Sequence, residues 1–238
     1  MFKNFHTTLF LFLLFFSTLF GCSQNKRATE SVSSVIEWLP AKLLHQSSSN
    51  VQIRSNPKEV DSPYGKALHF DGIDDAIYLE EMPLKSLKEF TVEMIFFPDS
   101  SSLFEQRILH IGDVTENRML LEIRVVEDNW YFDGFTATGD SGKALIDEGL
   151  LHPVGQWYHV AFVVGPESLT TFVNGKKELS ETYSFNLIES GRTSIGVRQN
   201  EHSWFEGSIF KIKITPEQLS PDEFMDFESF ELLASPKV

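Results

Sequence analysis

Between Leu120 and Phe135 the run LLEIRVVEDNWYFDGF sets Glu122 and Arg124 two residues apart among Leu, Ile and Val. Side chains of an extended chain alternate between its two faces. Leu120, Glu122 and Arg124 therefore share one face, opposite Met119, Leu121, Ile123 and Val125. Tyr131 and Asp133 form a second same-face pair, and neighbouring runs add Glu105, Arg107, His110, Glu116, Arg118, Arg198 and Trp204. Strict alternation over EQRILH puts Glu105, Arg107 and Leu109 on one side and His110 on the other. From Arg107 to Arg124 the cations are all Arg, with no Lys, and Arg suits planar, bidentate recognition of hydroxyls and carboxylates. Such a face serves a saccharide, with Trp130, Tyr131 or Trp204 stacking on sugar rings. Equally, it serves as a solvated sheet surface laced with cross-strand ion pairs, each worth under about 1 kcal/mol when exposed.

Hydrolysis of a glycosidic bond needs two carboxyl groups about 5 to 10 Å apart. The segment EIRVVE (122–127) is similar to the E-x-D-x-x-E catalytic strand of jelly-roll endoglucanases, but Arg124 stands where the central Asp would be, and Val125-Val126 break the alternation. That departure argues against retaining hydrolysis. A polysaccharide lyase is the better enzyme alternative: an Arg neutralises a uronate while His and Tyr serve as base and acid, types supplied by His110, Glu122, Arg124 and Tyr131. No nucleophile elbow, Gly-rich phosphate loop, Cys/His metal cluster or HExxH occurs. The acidic turn DGIDD offers Asp71, Asp74 and Asp75, hard oxygen donors that suit calcium, although three carboxylates also make an Asx-type turn without metal. His159, with Trp157 and Ala161 on its own face, reads as a hydrogen-bonded buried imidazole.

The elements that must hold these residues are short β-type runs from about Val35 onward, separated by turn residues. They include ALHF, AIYL, FTVEMIFF, RILHIG, MLLEIRVV, WYFDGFTA, WYHVAFVV, LTTFV, TSIGV and SIFKIKI. Many short strands with turns between them make a sandwich or barrel. Asn174-Gly175 between TTFV and KKEL is a hairpin signal, because both central positions of a type I′ turn need positive φ. SPDEF (220–224) brings an N-cap Ser, Pro at the first helical position and Glu223 for a capping box, predicting a short C-terminal helix.

ALHFDGIDDAIYL (67–79), FTVEMIFFP (90–98), GQWYHVAFVV (155–164), TFVNGKKE (171–178), TSIGV (193–197), FEGSIFKIKI (205–214) and LSPDEF (219–224) occur in the order seen in laminin-G-like, concanavalin A-like domains. The resemblance covers about residues 65 to 225. It implies an all-β, two-sheet antiparallel jelly-roll sandwich, one sheet curved to form a concave face. Some members of this family bind calcium beside the DGIDD segment, using an Asp after G-x-I in a late strand; here GSIF has Phe210 at that place.

The first residues set a cell address. Lys3 precedes Leu9 to Phe20, a 12-residue apolar run broken only by Ser and Thr, which is a signal-peptide core and shorter than the roughly 20 residues that span a bilayer. LFGC (19–22) resembles the bacterial lipoprotein box, which implies removal of residues 1–21 and lipidation of Cys22. Residues 22–34 are polar and read as a tether, leaving residues 35–238 as the domain. Ser23, rather than Asp, after the Cys points to the outer membrane in enteric-type sorting. With one Cys in 238 residues no intramolecular disulfide forms, and a net charge of −14 disfavours nucleic acid as a partner.

The expectation is a non-catalytic, lectin-like carbohydrate-binding or adhesive domain, anchored to the membrane by its N-terminal lipid, with a glycan as partner and no cofactor apart from calcium at the acidic turn. Its ligand-binding residues are Arg107, His110, Arg118, Glu122, Arg124, Tyr131, Asp133, Arg198 and Trp204. The alternatives are a lyase using the same face and a structural or protein-interaction domain.

Overall fold

The structure is a computed structural model that describes residues 34–227 except 47, 101, 102 and 140; the signal peptide, Cys22 and all but the end of the tether lie outside it. Its elements are β1 (Ile36–Trp38), α1 (Pro40–Leu43), β2 (Val51–Arg54), β3 (Lys58–Ser62), β4 (Gly65–Asp71), β5 (Ala76–Leu79), β6 (Phe90–Pro98), β7 (Glu105–Gly112) and β8 (Arg118–Val126). They continue as β9 (Asn129–Thr138), β10 (Ser141–Ile146), β11 (His152–Pro153), β12 (Tyr158–Val164), β13 (Ser168–Val173), β14 (Lys176–Thr182), β15 (Arg192–Ile195) and β16 (Glu206–Thr215).

These strands form two antiparallel sheets of eight. The first runs β14-β13-β12-β6-β16-β4-β3, and β1 pairs with the Ile212–Ile214 end of β16 while β4 pairs with its Glu206–Ile209 end. The second runs β10-β9-β8-β7-β15-β5-β2, with β11 beside β9. Alternation supplies the interior: Val92, Met94 and Phe96 of β6 and Val160, Phe162 and Val164 of β12 join Leu121 and Ile123 of β8 and Trp130 and Phe132 of β9 in one core. Burying a side chain of this size contributes about 1.5 to 3 kcal/mol before chain entropy is charged against it. The architecture is the all-β jelly-roll sandwich that the sequence predicts.

Local signals also act as read. Asn174 and Gly175 take φ of 49° and 74° between β13 and β14. Ser220 and Glu223 form a capping box, but the helix they start is a single 3-10 turn, Pro221–Glu223. The chain then crosses the outer face of the first sheet, where Phe224 and Phe227 pack on His159. His159 is buried, its Nε2 lying 3.1 Å from Oε1 of the fully buried Glu93, whose Oε2 is 3.2 Å from Lys213 Nζ. Trp130 belongs to the core with no exposed surface, so it offers no stacking face to a ligand.

Candidate functional site

Three consecutive strands, β7, β8 and β9, set out the charged residues as a block on the face of the second sheet turned away from the core. In one cross-strand row Arg107 stands opposite Glu122, which stands opposite Asp133; in the next Glu105 stands opposite Arg124, which stands opposite Tyr131. Opposite charges therefore alternate across the β7–β8 ladder. Arg107 Nε is 2.9 Å from Glu122 Oε1, Arg124 Nη1 is 3.0 Å from Glu122 Oε2, and Arg124 Nη2 is 2.7 Å from Asp133 Oδ2. Arg107 Nη1 also meets Glu105 at 2.5 Å and donates to Ser203 Oγ at 2.6 Å.

His110 does not lie where strict alternation over EQRILH puts it. The pairing of β7 with β8 shifts register between Arg107 and Leu109, so Ile108 is an extra residue. A bulge of this kind reverses the alternation beyond it. Leu109 and Ile111 turn into the core, and His110 falls on the same face as Arg107, not the opposite one.

The block is not solvated. Glu122 and Asp133 are each 2% exposed and Arg124 8%, while the Glu105 side chain keeps 45% of its surface at the rim. The two buried carboxylates, Glu122 and Asp133, stand opposite each other across β8 and β9, while Glu105 shares the arginines from the wetted rim. Burial and the Glu122 charge push the Asp133 carboxyl up to about 7, against the pull of Arg124 and Arg107. Its Oδ1 is buried without a hydrogen-bond partner. Glu105 moves the other way, its hydrogen bond from Arg107 holding it below the usual carboxylate range. Burial raises the Tyr131 phenol, which stays protonated.

What covers part of this face is the connection from β15 to β16. Gly196 N donates to Ile108 O and Arg107 N to Ser203 O, so residues 196–205 fold back over β7. Val197 and Trp204 pack on Ala76 and Tyr78, with the Arg54 guanidinium 5.2 Å from the Trp204 ring centre. His110 is fully buried beneath the loop. Its Nδ1 accepts from Gln199 N at 3.3 Å and its Nε2 donates to Asp113 O at 2.9 Å, which fixes the neutral tautomer. Burial, aided by Arg198 and Arg118, drives its pKa down to about 4. A base needs a free nitrogen in reach of substrate, and His110 has none.

Arg118, Arg198 and Trp204 are half-buried at the margin, and Arg107 shows 12% of its side chain. Arg118 donates to the carbonyls of Thr115 and Glu116, and Arg198 to that of Val114. Of the nine ligand-binding candidates, then, His110, Glu122, Arg124, Tyr131 and Asp133 are buried groups that hold the face, and the other four border it. Arg192, Gln199 and Ser203 belong to the same assembly and do not stand out in the sequence. The i, i+2 spacing of Arg192 and Ser194 carries their shared face, but the docking of the loop has no local signature.

At the acidic turn, Asp71, Asp74 and Asp75 bring oxygens within 4.8 Å of one another. Backbone groups engage two of the three: Asp71 Oδ1 accepts from Ile73 N at 2.9 Å and Asp74 N at 3.2 Å, and Asp75 takes the N–H groups of Asn56 and Asp71. Burial opposes ionisation of Asp71, but its backbone donors outweigh that and hold it below the usual range, while burial raises Asp75. Donors already satisfied by backbone fit a turn better than a cation cage.

Residues 71–224 match the concanavalin A-like lectin/glucanases superfamily, and the chain belongs to it. No curated protein sequence matches. Among solved structures it is similar to domain 4 of AbnA, a GH43 extracellular arabinanase from Geobacillus stearothermophilus, in complex with arabinotriose: TM-score 0.58, 20% identity, covering 76% of this chain and 82% of that one. It is also similar to the botulinum neurotoxin serotype D binding domain, with TM-score 0.56 and 17% identity over 78% of this chain and 48% of that one. The binding domain of botulinum neurotoxin DC in complex with SialylT gives TM-score 0.54 and 9% identity, over 77% of this chain and 46% of that one. This chain thus spans under half the length of the two neurotoxin domains, and at these identities the likeness is one of fold.

Proposed function

We propose that the chain is a non-catalytic glycan-binding domain of a membrane-anchored lipoprotein, and that the outer face of its second sheet is the binding face. The observation that carries this reading is the ionic block itself. Replacing a buried ion network by apolar groups of the same volume is often neutral or stabilising by about 1 to 4 kcal/mol, so stability alone gives no reason to bury Arg107, Glu122, Arg124 and Asp133 there. A fixed array of guanidiniums and carboxylates instead holds the margin, where Arg107, Arg118, Arg198 and Trp204 present donors and an aromatic ring. The family is one of lectins and glucanases, and two of the similar structures hold arabinotriose and SialylT.

Access supports binding over cleavage. A catalytic carboxyl has to touch the sugar, and Glu122 and Asp133 are 2% exposed and clamped by arginines. Presenting the full chain to an array of neutral and acidic polysaccharides tests this. Retention without new reducing or unsaturated ends is expected, and product from any retained polymer overturns the non-catalytic reading. Anchoring rests on Cys22 and the apolar run before it. Wild type is expected in the detergent phase of a phase-separation assay and Cys22→Ala in the aqueous phase; identical partition of the two overturns the anchor.

A further inference from the structure

At the end of the outer face near the β7–β8 turn, the charge pattern differs from that of the ionic block. Arg192, Gly112 and Arg118 form one cross-strand row through β15, β7 and β8. Arg192 lies over the Tyr78 ring and Arg118 over the Phe135 ring, both rings on the outer face. Arg198 enters from the overlying loop and binds Val114 O, next to the Thr115 and Glu116 carbonyls that hold Arg118. Gln199 Nε2 ties the group together by donating to both Gly112 O and Arg192 O.

Among the described residues none of these three arginines has a carboxylate within ion-pair distance, whereas Arg54, Arg107 and Arg124 all do. The acids near Arg118 are otherwise engaged or free to swing away. Asp113 accepts from Thr115 N and Glu116 N, Glu122 is held by Arg107 and Arg124, and Glu116 is exposed. Nε of Arg118 and Nε of Arg198 are buried without a partner. Arg118 and Arg198 lie close enough to repel, and burial together with Arg198 lowers the Arg118 pKa. Arg118 and Arg198 are thus like charges at one turn with no carboxylate paired to them, and Arg192 flanks them from β15, an arrangement that an anion completes. Guanidinium planes favour a flat, two-oxygen anion.

We propose that Arg118, Arg192 and Arg198 form a carboxylate subsite that takes an acidic sugar unit of the bound glycan. This rests on the glycan-binding reading of the same face and names the ligand class. Charge at large does not explain such a preference, because a chain of net charge −14 repels polyanions at long range. A local site has to supply it.

The test uses the full chain in detergent and three soluble probes: polygalacturonate, its carboxyl-reduced form, and dextran sulfate. Polygalacturonate is expected to bind at least about tenfold more tightly than the other two, the worth of one charge-assisted hydrogen bond or more. Arg118→Gln, Arg198→Gln and Arg192→Gln should each erase about tenfold of that preference, binding of polygalacturonate falling further than binding of the reduced polymer. Arg192→Gln keeps the test open if the other two variants unfold, because among the described residues the Arg192 side chain stacks on Tyr78 and holds no backbone carbonyl of the β7–β8 turn. Equal binding of dextran sulfate overturns the carboxylate assignment. Retention of the reduced polymer alone, or variants with wild-type preference, overturns the subsite and leaves the glycan-binding face standing. Failure to retain any polysaccharide in this assay or on the array overturns both.

Discussion

Asp133→Asn is expected to stabilise the protein at pH 8 and to leave it nearly unchanged at pH 4.5. Burial beside Glu122 raises the Asp133 carboxyl from 3.8 to about 7. Between those values the native state keeps a proton that the unfolded chain has lost, so stability falls as pH rises through that window. A shift of about three units corresponds to about 4 kcal/mol, an upper figure for what the ionised form costs at pH 8. His110 acts in the opposite sense: its pKa falls from 6.5 to about 4, so the unfolded chain binds the extra proton, and stability rises with pH over nearly the same range by about 3 kcal/mol. The two slopes largely cancel in the wild type. Asparagine keeps the shape of the protonated acid and removes its titration, which exposes the His110 slope. Urea unfolding followed by the fluorescence of buried Trp130 reads this as a higher midpoint at pH 8 with unchanged m. His110→Gln should show the opposite residual slope. A midpoint that drops at pH 8 in Asp133→Asn would falsify the account, because it would mean that an ionised Asp133 is a net stabilising partner of Arg124.

Arg124→Met removes the cation shared by Glu122 and Asp133 and should cost about 3 to 5 kcal/mol at pH 8, less at pH 5 once Asp133 is protonated; a loss under about 1 kcal/mol by urea titration contradicts the buried-network description. Gly196 sits at φ +87° with room for a Cβ only 2.4 Å from the Phe70 ring, whereas Gly175, at φ +74°, faces open space. Gly196→Ala should therefore lose well over about 2 kcal/mol and Gly175→Ala only about 1, and equal losses in thermal melts would refute the packing argument. Calcium in excess over EDTA should move Tm by less than about 1 °C, since a shift of several degrees requires a bound ion that the satisfied Asp71 and Asp75 oxygens argue against.

Much of the scaffold is legible from alternation alone. FTVEMIFF, MLLEIRVV and WYHVAFVV carry apolar residues at every second position, and these are the central strands that line the core. Glu122 with Arg124 and Tyr131 with Asp133 share a face for the same reason. The strands that escape such reading are β2, β3 and β10, whose positions near sheet edges leave polar residues on both faces. His110 is misplaced by simple alternation because the bulge at Ile108 is set by pairing with β8 and leaves no mark in EQRILH. Burial of the ionic block is invisible for a different reason. Charged residues facing away from the core read as solvated until the fold brings residues 196–205 across them, far later in the chain.

The block also bears on how the chain reaches this state. Glu105, Arg107, Glu122, Arg124 and Asp133 all lie on three strands joined by two consecutive hairpins, so their pairing needs only short loop closures. A slip of one residue between β7 and β8, or between β8 and β9, would set Leu121 and Ile123 among the charges and turn Glu122 into the apolar interior. Wrong registers are thus penalised while the meander is still an isolated piece. By contrast β16, which joins β1, β4 and β6 across most of the sequence, has to wait for distant partners. The expected order is an early β7-β8-β9 nucleus and a late closure by β16, so substitutions at Glu122 should change the folding rate and those at Ile212 mainly the unfolding rate.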